Sequence, residues 1–335
     1  MKRIVGVGNA LTDMVITLKN DDVLAEFGLA KAGMFLVDNA KQSEIFDHDE
    51  IKNLPQKKSL GGSAANTIRA LAQLNVECGL IGKVGRDETG RFFEQALVDQ
   101  NIKPLIFKGE NESGHCLSLV SPDGERTMVT CLGAAVEYSA EDVSEALFEG
   151  FDLLYVEGYQ VQNHEAVSRT VEVARECGLK TAIDLASFNV VEENREFLLA
   201  LIRDGIDIVF ANEDEARIIS GGMDAEKAVE FIGEMCEIAV VKVGKNGALI
   251  KRGAECVRVG IMEECVRVDT TGAGDFFAGG FLAGMCRGWS LRQCGTLGAV
   301  TAGRVIEVVG TTLDEKVWDD IRERAEKIAD GTYIL

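Results

Sequence analysis

The 335 residues suffice for one large α/β domain or two small ones, and a 46% apolar fraction is ample for a core. A formal charge of −20 argues against a nucleic-acid or anionic-membrane surface, since those need basic patches, so a polyphosphate substrate would have to arrive with a divalent cation or meet locally placed donors. Nine scattered cysteines with no Cys-x-x-Cys pair, three histidines and no apolar run able to span a bilayer argue against a disulfide scaffold, a His-rich metal centre and a membrane protein, and point to reduced thiols in the cytoplasm.

The chain opens on a short apolar strand over residues 3–8, not on a secretory leader. Gly6-x-Gly8 lacks the third glycine of a dinucleotide fingerprint, position 11 being Leu, which argues against an NAD-linked oxidoreductase. Residues 9–13 follow at the C-terminal end of this strand, where α/β sheets place ligand-binding groups. There Asp13 reads equally as a turn former or as a carboxylate for ligand hydroxyls. Weak alternation over 14–40 predicts short strands on an exposed edge, residues 43–46 the opening of a helix, and 57–63 a polar turn. Gly61-Gly62 then leads into a helix whose core face carries Ala64, Ile68, Leu71 and Leu74. Gly61 and Gly62 would let a ligand approach the backbone, with Asn66 in reach; a plain turn is the alternative. Two alternating runs, 115–120 and 126–130, flank Ser121-Pro122-Asp123-Gly124-Glu125 and predict a hairpin. With the strands of 14–40 it would form a small sheet over the site. Arg126 reads as a solvated strand arginine or as a contact to substrate or phosphate.

Residues 151–157 form a buried strand ending in Glu157, which has equal claims as a substrate contact and as a structural acid. A helix over 163–177 and strands at 181–184 and 206–210 follow, then Asn212-x-x-Glu215, a polar helix opening with acids at its positive end. Residues 239–243 make a strand closed by an Asn246-Gly247 turn, and no Gly-x-x-x-x-Gly-Lys-Ser/Thr string exists anywhere. Residues 270–274 are a turn of small residues running into a buried apolar helix over 276–285. Such a turn gathers peptide N–H groups at the positive end of a helix dipole, a ready anion site. Asp275 at that point is either a helix cap or a base that takes a proton from a nucleophile attacking the anion. A helix over 291–305 and a turn at 309–311 close the pattern. Alternating strands and helices, without a linker or repeat, predict one α/β domain over 1–335 with a mainly parallel sheet covered on both faces. A small β lid would come from segments about 11–40 and 108–132.

Asp269-Thr270-Thr271-Gly272-Ala273-Gly274-Asp275 resembles the C-terminal signature of the PfkB (ribokinase-like) family of carbohydrate and nucleoside kinases. Gly61-Gly62-x-x-x-Asn66 resembles the family's N-terminal element, and Gly82-x-x-Gly85-x-Asp87-x-x-Gly90 and Asn212-x-x-Glu215 resemble two others. The resemblance implies a three-layer α/β/α fold with a lid, and ATP-dependent phosphorylation of a primary alcohol on a sugar or ribonucleoside. It implies Asp275 as base, with Gly272, Ala273 and Gly274 lining the anion hole. It implies acceptor contact by Asp13, Gly61, Gly62 and Asn66, with Arg126 and Glu157 as further candidates. Asn212, Lys242, Gly244, Gly247 and Thr271 would border ATP, Glu215 would hold Mg²⁺ through water, and some members also take K⁺. Residues 8–13 and the long 14–60 segment look more like the adenosine-kinase-like branch than like ribokinase, while Glu125-Arg126-Thr127-Met128 is closer to sugar kinases. A catalytically silent sugar- or nucleoside-binding sensor is the rival reading, against which the intact Asp275 argues. Monomers and homodimers both occur among such relatives, and open lid edges offer a route to pairing.

Overall fold

The structure, a computed structural model, describes residues 3–31 and 33–335. Its strands in chain order are β1 (Arg3–Val7), β2 (Leu11–Thr17), β3 (Met34–Leu36), β4 (Gln56–Gly61), β5 (Glu77–Val84), β6 (Ile102–Lys108), β7 (Gly114–Val120), β8 (Arg126–Cys131), β9 (Leu153–Glu157), β10 (Lys180–Asp184), β11 (Ile208–Asn212), β12 (Ile238–Lys242), β13 (Ala248–Arg252) and β14 (Glu255–Val259). Nine of them form one sheet in the order β14-β13-β12-β11-β10-β9-β1-β5-β6. Neighbours from β6 through β12 pair parallel, and β13 and β14 add an antiparallel edge.

The central strands read as unbroken apolar runs because helices cover both faces. Side chains alternate across the sheet, so Leu153 and Tyr155 enter one core while Leu154 and Val156 enter the other. The first core packs under the helices Ser63–Gln73, Glu88–Asp99, Ala273–Cys286, Leu291–Val305 and Glu315–Ala329. The second packs under His164–Glu176, Arg195–Gly205, Glu213–Ile219 and Ala225–Gly233. This is the three-layer α/β/α arrangement with a mainly parallel sheet expected from the alternating pattern.

The other five strands form a separate sheet, β3-β8-β7-β2-β4, with its own core of Ile16, Leu117, Leu119 and Val129 against Val23, Leu24, Ile45 and Ile51. The hairpin of β7 and β8 is antiparallel around a turn closed by Gly124 N–H to the Ser121 carbonyl at 2.9 Å. Three local expectations change. Residues 43–46 do not open a helix but end one, which runs Asn39–Phe46 from a cap at Asp38. β2 is not an exposed edge: it lies between β7, in parallel, and β4, antiparallel. Residues 56–61 are a strand, not a polar turn; β4 is an edge strand in which Lys57 and Lys58, on opposite faces, are both exposed, so no apolar–polar alternation shows. The C-terminal ends of β1, β9, β10, β11 and β12 lie along one edge of the large sheet, and β1 passes straight into β2 of the small one.

Candidate active site

The helix Ala273–Cys286 begins from Gly272, whose φ of 76° is left-handed and therefore suits a residue without Cβ. Asp275 lies in the first turn but makes no side-chain cap to its own helix. Instead its Oδ1 accepts from Ser63 Oγ at 2.6 Å and its Oδ2 from Asn66 Nδ2 at 2.9 Å. Both donors sit in the first turn of the helix Ser63–Gln73, so the two Gly-led turns of the sequence meet at one carboxylate. Thr67 Oγ1 ties the same helix to the Asp275 carbonyl at 3.1 Å. Burial pushes the Asp275 carboxyl up to about 6, the bonds from Ser63 and Asn66 opposing, Asp184 adding to the rise and Lys242 resisting it. A carboxylate so held can accept a proton near neutral pH.

Lys242, at the end of β12, reaches toward the same turn. Its Nζ donates to Asp184 Oδ2 at 2.7 Å, and a Cβ built on Gly274 would lie 3.0 Å from that nitrogen. Burial lowers the Lys242 pKa, but Asp184, Glu215 and Asp275 outweigh it, so the ammonium is held above its ordinary range. Asn212 pairs in register with Lys242 across β11 and β12. Glu215 closes a capping box with it: Asn212 N–H and Nδ2 donate to the carboxylate at 2.7 and 2.5 Å, and Asn212 Oδ1 accepts from the Glu215 N–H at 2.9 Å. Burial, then Asp184, raise the Glu215 carboxyl to about 7, Lys242 opposing. Gly244 and Gly247 form the turn after β12, both at positive φ, with open space where a Gly244 side chain would be.

The small sheet contributes from the other side. Asp13 on β2 lies over Gly61, where a side chain would collide with its carboxylate. Burial raises Asp13 to about 6, while Arg126 and Arg69 pull it down. Arg126 is not solvated: its side chain is 8% exposed, with Nη1 donating to Asp269 Oδ2 at 2.5 Å and Nη2 to Ser118 Oγ at 2.7 Å. Its Nη1 also approaches Thr271 Oγ1 at 3.5 Å. Asp269 in turn accepts from Thr271 N–H at 3.0 Å and from Gly310 N–H at 2.8 Å. Glu157 lies beneath the site and is spent on backbone: it accepts from Ala64 N–H at 2.8 Å and Asn9 N–H at 3.4 Å and is 1% exposed. Burial raises it to about 7 against those bonds. It therefore braces the Gly-Gly turn from below, and both of its oxygens serve backbone, as the structural reading of this acid has it.

Three residues of the cluster, Ser63, Asp184 and Arg69, carry no role in the sequence reading. Ser63 hides in the variable positions of Gly-Gly-x-x-x-Asn, and Asp184 is visible only as the last residue of a strand. Arg69 reads as a helix-surface charge, yet it is buried and donates to the Leu60 carbonyl at 3.1 Å and toward Thr311 at 3.4 Å. Thr311 Oγ1 completes that link by donating to Asn66 Oδ1 at 3.0 Å.

The profile of the pfkB family carbohydrate kinases matches residues 28–318. An adenosine kinase from Sinorhizobium meliloti superposes with a TM-score of 0.85 at 33% identity, covering 97% of this chain and 99% of that one. A probable sugar kinase from Rhizobium etli does so with a TM-score of 0.85 at 32% identity, covering 96% and 98%. In sequence, the nucleoside kinase of Methanocaldococcus jannaschii is 26% identical over 278 residues, 81% of this chain and 87% of its own. The fold is thus the ribokinase-like one, and the chain belongs to the pfkB family of carbohydrate kinases, as an enzyme with adenosine, nucleoside and sugar kinases among its relatives.

Proposed function

We propose that the protein transfers the γ-phosphoryl group of ATP to a primary alcohol of a ribonucleoside or a pentose or hexose sugar, with Asp275 as general base. The observation that carries this reading is the carboxylate of Asp275, half-buried at a helix N-terminus between Ser63 and Asn66 with the Lys242 ammonium beside it. The acceptor oxygen attacks the γ-phosphorus and its proton passes to Asp275. The bond from γ-phosphorus to the β,γ-bridging oxygen breaks, and ADP leaves with the electron pair. The N–H groups of residues 272–275 meet the charge that develops on the phosphoryl oxygens. Asp13, Gly61, Gly62 and Asn66 hold the acceptor, and the small sheet covers it and keeps out water, a competing nucleophile.

The residues present fit Mg²⁺ held through water. Glu215 would hold it: each of its oxygens accepts one bond from Asn212 and keeps a lone pair for a bridging water, and no group of three acids, histidines or cysteines among the described residues is placed to bind a metal directly. Mg²⁺ keeps several waters and takes few protein carboxylates, and it would supply charge neutralisation along the phosphates. Likeness over nearly the whole chain to the Sinorhizobium meliloti adenosine kinase supports a nucleoside acceptor.

The test is ATP consumption with Mg²⁺ across adenosine, inosine, ribose, fructose, 2-keto-3-deoxygluconate and fructose phosphates. One acceptor is expected to turn over, and Asp275→Asn to lower kcat by about 10²–10⁴ with the melting temperature kept. Near-normal turnover in that variant removes Asp275 as base. Silence across the panel, with thermal stabilisation by one member, replaces the kinase reading with a binding protein.

A further inference from the structure

We propose that Arg69 and Thr311 are positioning residues for the phosphoryl transfer: they open a one-way chain of hydrogen-bond donors that runs through the Asn66 amide and ends on the carboxylate of Asp275. The inference rests on the kinase reading and adds two residues to it, neither of which touches a reacting atom. Three observations carry it. The first is direction. A guanidinium only donates, so the chain runs one way: Arg69 Nη1 to Thr311 Oγ1 at 3.4 Å, Thr311 Oγ1 to Asn66 Oδ1 at 3.0 Å, and Asn66 Nδ2 to Asp275 Oδ2 at 2.9 Å. Arg69 Nη1 also reaches Asn66 Oδ1 itself at 3.4 Å. Two donors on the oxygen end of the amide leave its nitrogen end for Asp275. A reversed amide would set oxygen against carboxylate and nitrogen against two donors.

The second is charge. Arg69 is buried, yet it makes no ion pair among the described residues, and its remaining bonds go to neutral oxygens of Leu60, Gln100, Thr311 and Thr312. A buried charge without a paired counter-ion is costly. Bracing neutral oxygens needs donors but no charge, whereas a cation at the head of a chain polarises every bond after it. Burial lowers the guanidinium to about 10, Asp13 opposing, so it stays charged at neutral pH. The third is reach. Thr311 follows Gly310, whose N–H donates to Asp269 at the head of the anion turn, so the chain ties that side of the site to the helix that carries Asn66.

The rival account is that Arg69 and Thr311 only brace the fold. Asp275 is faced by Ser63 and Asn66, by Asp184 of β10, by Lys242 of β12 and by Tyr155 and Glu157 of β9, and substitution at 69 or 311 removes none of these. Loosening Asn66 weakens a bond to the charged form of Asp275. Its pKa must then rise, and the acid limb of kcat/KM must move to higher pH. Thr311→Val removes the hydroxyl and keeps the shape, Thr311→Ser keeps the hydroxyl, and Arg69→Lys keeps the charge that acts on Asp13 but not the planar fork. With the acceptor found in the panel, Thr311→Val and Arg69→Lys should each raise the limb by about 0.3–1 pH unit, part or all of a charged hydrogen bond, and lower the plateau kcat about 10-fold. Thr311→Ser should return the limb to its wild-type place, and the double variant Arg69→Lys/Thr311→Val should raise it no further than the larger single change. If Arg69→Lys does not fold, the Thr311 pair decides. A limb that stays in Thr311→Val, or moves equally in Thr311→Ser, overturns the chain, as does full additivity in the double variant. A wild-type protein that neither consumes ATP nor binds the non-hydrolysable analogue AMP-PNP overturns the kinase reading, and this inference with it.

Discussion

Asp275 gathers opposing forces at one carboxyl group. Burial favours its protonated form, and the donors Ser63 and Asn66 favour the anion; burial prevails, leaving it near 6. The base proposed here works only when deprotonated, so kcat/KM should be full above about pH 6 and fall as pH drops through that value. Ser63→Ala removes one bond made to the charged form. The pKa must then rise, and the acid limb should move to higher pH by about one unit, the worth of a charged hydrogen bond of about 1.5 kcal/mol. A pH–rate profile of ADP release reads this directly. A limb that stays in place means that Ser63 is no partner of the reacting carboxylate. A limb that moves with little loss of the plateau rate means that it tunes the base without being required for chemistry.

Between elements, the contact that matters most is the ion pair from Arg126 on β8 to Asp269 at the head of the anion turn. Both side chains are nearly buried, at 8% and 12% exposure, and Asp269 also holds the N–H groups of Thr271 and Gly310. Breaking such a pair from one side strands a charge, so Arg126→Ala or Asp269→Ala should each cost about 3–5 kcal/mol in urea unfolding. The double variant should cost less than the sum, and an additive cycle would show that the two groups do not depend on each other. This pair also marks where sequence reading fails. The turn 269–275 and the apolar strands were legible because their signals are local: contiguous small residues, and runs of β-branched side chains between polar ends. Arg126 was not, because its partner lies 143 positions away and a strand arginine carries no mark of it. Arg69 fails likewise, its acceptors coming from Leu60, Gln100 and Thr311. β4 carries no such signal because Lys57 and Lys58 are exposed on opposite faces of an edge strand, which gives a polar string instead of an alternating one.

At the scale of the molecule, the two sheets have separate cores but cross at the site. One crossing is the step from β1 to β2 through Asn9 and Ala10; another is Gly61-Gly62, between β4 and the helix Ser63–Gln73. They run side by side: Gly62, at φ 93°, leaves no room for a side chain against the Asn9 carbonyl. Rotation of the small sheet about these crossings would carry Asp13 and Arg126 across the acceptor, while Glu157 keeps the helix start fixed from below. Closure should therefore show as unequal protection from hydrogen exchange. With the acceptor and AMP-PNP bound together, amides of β2, β7, β8 and the turn at 121–125 should slow, while β9 to β12, already sealed between helices, should hardly change. Acceptor alone should give part of the effect if, as proposed, Asp13 and Gly61 hold it, and AMP-PNP alone should give less. Equal slowing in both sheets would point to general tightening of the fold. No slowing in the small sheet would leave it a fixed wall, and water would have to be excluded by the substrates themselves.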